Sequence, residues 1–168
     1  MNSEGYMYFQ KAMDESLTKY YFKELSNLPW MNFFNLRKAF RYNVGIGNVP
    51  IMNEIITTLM TMLESQGIKN RECIGAFVNL YENGSQKTPY HKDSYGTDVF
   101  TLSLGATRRF RIKRDYDNHS IGFDLEDGDC FFFTEAFNSL WKHSVQPTKK
   151  SVGQRISVVL FVKKKSDN

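Results

Sequence analysis

The apolar positions change their period part-way along the chain. Over residues 9–25 they recur about every four residues, at Phe9, Met13, Leu17, Tyr21 and Leu25, which predicts one stripe of an outer helix. Leu28-Pro29-Trp30 ends it, because proline donates no backbone hydrogen bond and pushes its predecessor out of the helical region. A second helix is predicted over 51–63, with Asn48 as its cap, Pro50 in its first turn and Gly67 just past its end. Its apolar stripe is Ile51, Ile55, Leu59, Met62 and Leu63. Between the two, residues 31–48 are rich in aromatics and bases and close on Gly45-Ile46-Gly47-Asn48, which predicts strands and a loop over a site.

From Glu72 onward the pattern is one of short strands broken by Gly, Asn and Asp, at 74–81, 99–104, 109–113, 121–125, 129–134 and 155–162. Helices first and many strands afterwards predict an α+β domain on a β-barrel or double-sheet jelly roll, with the N-terminal helices packed outside. One domain is expected over residues 1–168: helices and a substrate-side segment in 1–70, the strand-built core in 71–163, and a frayed tail after it.

Composition adds boundaries to this picture. With 41% hydrophobic and 15% aromatic residues the chain has enough apolar surface for a sizeable core. The net charge of +4 permits a polyanionic partner without requiring one. Cys73 and Cys130 lie in apolar surroundings and form no CxxC pair, as expected of reduced core thiols. No apolar run approaches the ~20 residues of a membrane span, and the first residues lack the blocks of a signal peptide. The expectation is an intracellular, soluble protein of cytoplasm or nucleus, monomeric and without a membrane partner.

The chemistry starts at Tyr90-His91-Lys92-Asp93. If this stretch is extended, His91 and Asp93 point to one face. A second imidazole would complete a two-histidine, one-carboxylate face of the kind that binds non-haem Fe(II) and leaves the opposite positions open. His119 sits in a polar, turn-like run, whereas in Leu140-Trp141-Lys142-His143-Ser144-Val145 the residues Trp141, His143 and Val145 share a strand face, so His143 is the chosen ligand. In the last strand Arg155, Ser157, Val159 and Phe161 face one way and Ile156, Val158, Leu160 and Val162 the other. An arginine facing a barrel interior is costly without an anion. Its fork suits a carboxylate, with the Ser157 hydroxyl beside it, and a bound dicarboxylate would supply one.

Taken in order, Asn79-x-Tyr81, His91-x-Asp93, Ser103-Leu104-Gly105 with Arg109-Phe110, Leu125-x-x-Gly128-Asp129, His143 and Arg155-x-Ser157 resemble the motifs of the AlkB-like 2-oxoglutarate- and Fe(II)-dependent dioxygenases. The likeness covers residues 74–162. It implies a double-stranded β-helix, the jelly roll, with Fe(II) on His91, Asp93 and His143. It also implies Asn79 and Tyr81 at 2-oxoglutarate, and Arg155 on that co-substrate's distal carboxylate. Ser103 to Gly105 and Gly128-Asp129 would be a core strand and a tight turn. The implied activity couples decarboxylation of 2-oxoglutarate to hydroxylation of a C–H bond by O2. On an N-methyl group, that reaction ends in formaldehyde and a demethylated nitrogen.

Two positions depart from the nucleic-acid-repair members of that family. Phe161 stands where a second arginine reaches the substrate base, and Tyr95 stands where an acidic residue is common. Both replace charge with a ring that could stack on an extruded base. Arg109, Arg111 and Lys113 would share one strand face, Arg37, Lys38, Arg41, Lys149 and Lys150 add bases, and Phe33, Phe34, Phe40 and Tyr42 interleave aromatics. This is the composition of a groove for single-stranded or flipped-out nucleic acid. Three functions are consistent with these residues: oxidative demethylation of alkylated bases in DNA or RNA, 2-oxoglutarate-dependent hydroxylation of a protein side chain or small molecule, and a catalytically silent jelly-roll binding module.

Overall fold

The computed structural model describes residues 1–166. Its two sheets face each other as a double-stranded β-helix, with two helices on the outer face of the larger sheet. The larger sheet has strand order β1-β9-β6-β11-β4-β3-β2 and the smaller β5-β10-β7-β8. In chain order the elements are β1 (Tyr6–Phe9), α1 (Glu15–Leu25), β2 (Met31–Phe33), β3 (Arg37–Asn43), α2 (Pro50–Ser65), β4 (Arg71–Tyr81) and β5 (Thr88–His91). They continue with β6 (Asp98–Gly105), β7 (Arg108–Arg114), β8 (Ser120–Leu125), β9 (Cys130–Phe133), α3 (Glu135–Leu140), β10 (Trp141–Val145) and β11 (Arg155–Lys164).

Period-2 alternation in β4 and β11 divides the interior into two layers. Ala76, Val78 and Leu80 with Ile156, Val158, Leu160 and Val162 face the helices, where they meet Tyr21, Leu25, Met52, Ile55, Leu59 and Leu63. Burial of each of the Val, Leu, Ile and Met side chains among them stabilises the fold by roughly 1.5–3 kcal/mol. The opposite residues of the same strands, Phe77, Asn79 and Tyr81 with Arg155, Ser157, Val159 and Phe161, face the smaller sheet and line the space between the sheets. The aromatics Phe131, Phe133, Phe137 and Trp141 form a second buried cluster with Tyr81, Phe110 and Phe161.

Several local expectations are corrected. The first helix begins at Glu15 rather than residue 9, because Asp14 caps it through Oδ1 on the Ser16 N–H at 2.8 Å. Tyr6–Phe9 is an edge strand antiparallel to β9, where Tyr6 stacks on Phe131 at 5.4 Å. The second helix is capped by the backbone of Val49 and not by Asn48, and its fully buried stripe is Met52, Ile55, Leu59 and Leu63, with Ile51 and Met62 half-buried. The tail does not fray at once: Lys163 and Lys164 extend β11, and Lys163 pairs with Glu72 at 3.2 Å. Asp167 and Asn168, also assigned to that tail, lie outside the described residues.

The Gly128-Asp129 turn does more than reverse the chain. Gly128 has φ +86°, where a Cβ would stand 2.8 Å from the Met13 carbonyl oxygen. Asp129, buried behind it, accepts from the Lys11 N–H (2.8 Å), the Tyr8 hydroxyl (2.7 Å) and the Glu126 N–H (2.8 Å), which ties β1 to the turn before β9. Burial and the bond to Asp129 push the Tyr8 phenol up to about 12.

Candidate active site

The cavity between the sheets is about 430 Å³. His91 ends β5, and His143 on β10 is its direct cross-strand partner, with ring centroids 4.2 Å apart. Asp93 reaches the same point without continuing the strand. β5 stops at His91, and the main chain of Asp93 is held by the side chain of Asn138, which donates through Nδ2 to the Asp93 carbonyl (2.7 Å) and accepts through Oδ1 from its N–H (3.0 Å). Lys92 turns the other way, onto the Asp115 carboxylate and the Ser139 carbonyl. The ladder stops at His91, yet His91 and Asp93 share one side and Lys92 takes the other, as an extended stretch predicts, with the side-chain clamp holding Asp93 beyond the strand end.

Asp93 Oδ1 lies 3.4 Å from His91 Nε2, and Oδ2 lies 3.3 Å from His143 Nε2. The second contact is off the line of a hydrogen bond, so Oδ2 is buried without a donor. His91 Nδ1 is engaged by the Pro89 carbonyl at 2.9 Å, which turns Nε2 toward the carboxylate. Burial opposes charge on all three groups. For Asp93 the two imidazoles outweigh burial and hold the carboxyl below the ordinary range. For His91, contacts with Asp93 and Pro89 outweigh it and raise the ring, while the more deeply placed His143 is lowered. Among the described residues this is the group of histidine, cysteine and acidic side chains able to hold a metal, with ligand atoms all within 4.8 Å of one another. A cation at that point would give the buried Oδ2 its partner, so the donor set fits a two-histidine, one-carboxylate iron site.

Arg155 lies at the deep end of the cavity and is 1% exposed. Its Nε donates to Ser103 Oγ (2.9 Å), its guanidinium lies 5.3 Å over the Tyr81 ring, and its Nη1 is buried without a partner. Burial lowers it, yet it stays a cation. Across the sheet Ala39, Asn79, Ser157 and Ser103 stand side by side. Asn79 Nδ2 donates to Ser157 Oγ at 3.2 Å, and its Oδ1 accepts from Arg37 Nε at 2.7 Å. The Tyr81 hydroxyl is paired with Thr88 Oγ1 at 2.6 Å.

A profile of the 2OG-Fe(II) oxygenase superfamily matches residues 35–161. The chain belongs to that superfamily. The oxygenase therefore uses Fe(II), 2-oxoglutarate and O2, and the silent binding module is set aside. No curated protein matches the sequence. Many solved structures share its fold, three of which are the following. A Pseudomonas putida prolyl-4-hydroxylase superposes with TM-score 0.70 at 12% identity, covering 98% of this chain and 95% of that one. The non-heme alpha ketoglutarate dependent epimerase SnoN from nogalamycin biosynthesis gives 0.73 at 15%, covering 95% and 78%. An oxidoreductase of the 2OG-Fe(II) oxygenase family from Burkholderia pseudomallei gives 0.74 at 14%, covering 96% and 85%.

The remaining sequence-derived positions divide sharply. Tyr95 and Phe161 both line the cavity and stack on each other, with centroids 3.9 Å apart. Phe40 and Tyr42 do not reach it: the alternation of β3 turns them under α2, where the Tyr42 hydroxyl donates to the Gly47 carbonyl at 3.0 Å. Arg109 and Arg111 also miss it. They project from the face of β7 opposite to Phe110 and Ile112, with Arg109 3.4 Å from Asp124 and Arg111 on Ser120 Oγ at 2.7 Å. Arg108 is buried and spends its guanidinium on loop carbonyls, including that of Gln146 at 2.8 Å. His119 is exposed in the β7–β8 turn, away from the triad.

Arg37, placed by the sequence among the bases of the groove, does line the cavity, whereas sequence reasoning missed Ser103 as the partner of Arg155 and Asn138 altogether. Ser103 shares the inward face of β6, so its alternation was a usable signal. Asn138 carried none, because α3 was not predicted and its partner is 45 residues away.

Proposed function

We propose that this oxygenase removes an N-methyl group oxidatively from an alkylated base in single-stranded or flipped-out nucleic acid, as the AlkB-like order of its motifs implies. In this reading the chain acts as a monomer. His91, Asp93 and His143 hold the iron, and Arg155, oriented by Ser103, receives the distal carboxylate of 2-oxoglutarate. Asn79, Tyr81 and Ser157 line the near end of the co-substrate. Bound iron and 2-oxoglutarate supply O2-dependent decarboxylation coupled to C–H hydroxylation. The protein positions the reactants and excludes water: Asn138 sets the carboxylate ligand, and Phe110 and Phe133 pack beside His143 at 5.9 and 5.1 Å.

The observation that carries the reading is the aromatic character of the cavity wall. Phe33, Phe77 and the stacked Tyr95–Phe161 pair line it together with Arg37 and Arg41, which suits a flat ring attached to a polyanion. Hydroxylation of a protein side chain or small molecule is the second reading. It is favoured by Arg109 and Arg111, which are engaged on the outer sheet face and offer no basic path into the cavity.

The test is anaerobic loading with Fe(II) and 2-oxoglutarate, then O2, with succinate measured against methylated single-stranded DNA, RNA and free nucleosides. Succinate stimulated by one methylated oligonucleotide is expected. Succinate indifferent to every nucleic acid would overturn the base-demethylation reading in favour of the second.

A further inference from the structure

Arg37 and Arg41 are cations of the cavity that the co-substrate does not account for. Both project from β3 into the space lined by Phe33 and Phe77. Arg37 is only 7% exposed; its Nε is spent on Asn79 Oδ1, and its guanidinium lies 4.6 Å over the Phe33 ring. Arg41 is exposed at the mouth, with its guanidinium 6.0 Å from the Phe77 ring. Neither takes part in an ion pair among the described residues, and Asp93 is the one carboxylate among the side chains lining the cavity.

A charge count shows the surplus. The two positive charges of Fe(II) and the one of Arg155 are balanced by Asp93 and the 2-oxoglutarate dianion. Lys92 is balanced by Asp115. That leaves Arg37 and Arg41, the first almost wholly buried, and a buried guanidinium with no counter-ion is costly. Arg37 and Arg155 also stand on opposite sides of β4, two strand spacings or roughly 10 Å apart. One end of the cavity is thus set for the co-substrate and the other has its own cations, stacked on aromatic rings.

We propose that Arg37 and Arg41 form an oxyanion subsite, and that the substrate carries a phosphate or carboxylate next to the flat or apolar group presented to the triad. The inference rests on the proposed placement of 2-oxoglutarate at Arg155, and it deepens the functional reading by assigning the substrate a charge. Arg37, held flat between Asn79 and Phe33, is pre-organised to hydrogen-bond an oxyanion through its terminal nitrogens. Arg41 adds attraction at the mouth.

The test uses the full chain loaded with Mn(II) and 2-oxoglutarate under argon, titrated calorimetrically with probe pairs that differ only in the anion. One pair is 1-methyladenosine and its 5′-monophosphate; the other is indole-3-acetamide and indole-3-acetate. The anionic member of at least one pair should bind about tenfold tighter or more, as a charge-assisted hydrogen bond predicts. In Arg41→Gln that advantage should shrink to about threefold or less, with 2-oxoglutarate affinity within about twofold of the parent. A response confined to the nucleotide pair supports both the subsite and base demethylation. A response confined to the carboxylate pair keeps the subsite and counts against the nucleic-acid reading. Equal binding of both members in each pair, or no binding by any probe, overturns the subsite. So does an Arg37→Gln variant, folded by circular dichroism, that loses 2-oxoglutarate affinity but keeps the preference for the anionic probe.

Discussion

Asn138 holds the main chain of Asp93 as a neighbouring strand would, donating to its carbonyl at 2.7 Å and accepting from its N–H at 3.0 Å. The clamp joins the carboxylate of the triad to the short helix that leads directly into the strand of His143. Two ligands from distant parts of the chain are thereby placed by one amide. Asn138→Ala should weaken Mn(II) or Fe(II) binding by about 10- to 100-fold, the range for losing a partner that orients a ligand. Metal titration followed by electron paramagnetic resonance of the Mn(II) form checks it. An unchanged spectrum and affinity would show that Asp93 is placed without the clamp.

Asp93→Ala should abolish iron binding and turnover while leaving the apo protein folded. The apo protein should still fold, because Asn138 holds the main chain of residue 93 and needs no carboxylate there. His119→Ala should change neither metal content nor activity, since His119 is exposed in the β7–β8 turn. Iron loss in the His119 variant would mean the triad is wrongly assigned.

For Arg155 the two readouts should move independently. Arg155→Met should raise the 2-oxoglutarate concentration needed for half-saturation by about 100-fold, because a charge-assisted contact to a carboxylate is removed from a dry site. Stability of the apo protein should be nearly unchanged, since Nη1 has no partner and the side chain is 1% exposed. Normal co-substrate saturation in this variant would place the distal carboxylate elsewhere.

The Tyr8 phenol, raised to about 12 by burial and by its bond to Asp129, predicts a stability change at alkaline pH. Between the usual phenol value near 10 and about 12 the folded protein keeps a proton that the unfolded chain releases. Its contribution is therefore fully present below pH ~10 and is lost as pH rises toward 12. Urea midpoints measured at pH ~9 and ~11 should fall more for the parent than for Tyr8→Phe. Parallel falls would remove Tyr8 as the cause.

What the sequence determined was direction. The two-residue period of 155–162 told which side chains face the helices and which face the cavity, and Ile156, Val158, Leu160 and Val162 do pack under α1 and α2. The same period pointed Trp141, His143 and Val145 into one layer. Motif order was likewise readable, because each short motif lies within one strand or turn, and the fold and superfamily follow from it.

The tertiary structure decided partnership. Tyr6–Phe9 is a strand only because β9 offers it an edge, and Phe40 and Tyr42 are core only because α2 lies over them. Arg109 and Arg111 alternate as expected, yet the face they share turned out to be the outer one, since periodicity separates two faces without saying which meets the cavity. Arg37 meets Asn79 across 42 residues, and Asn138 meets Asp93 across 45. Such contacts leave no local trace, because a side chain's hydrogen-bond partner is set by which strands and helices pack together rather than by its neighbours along the chain.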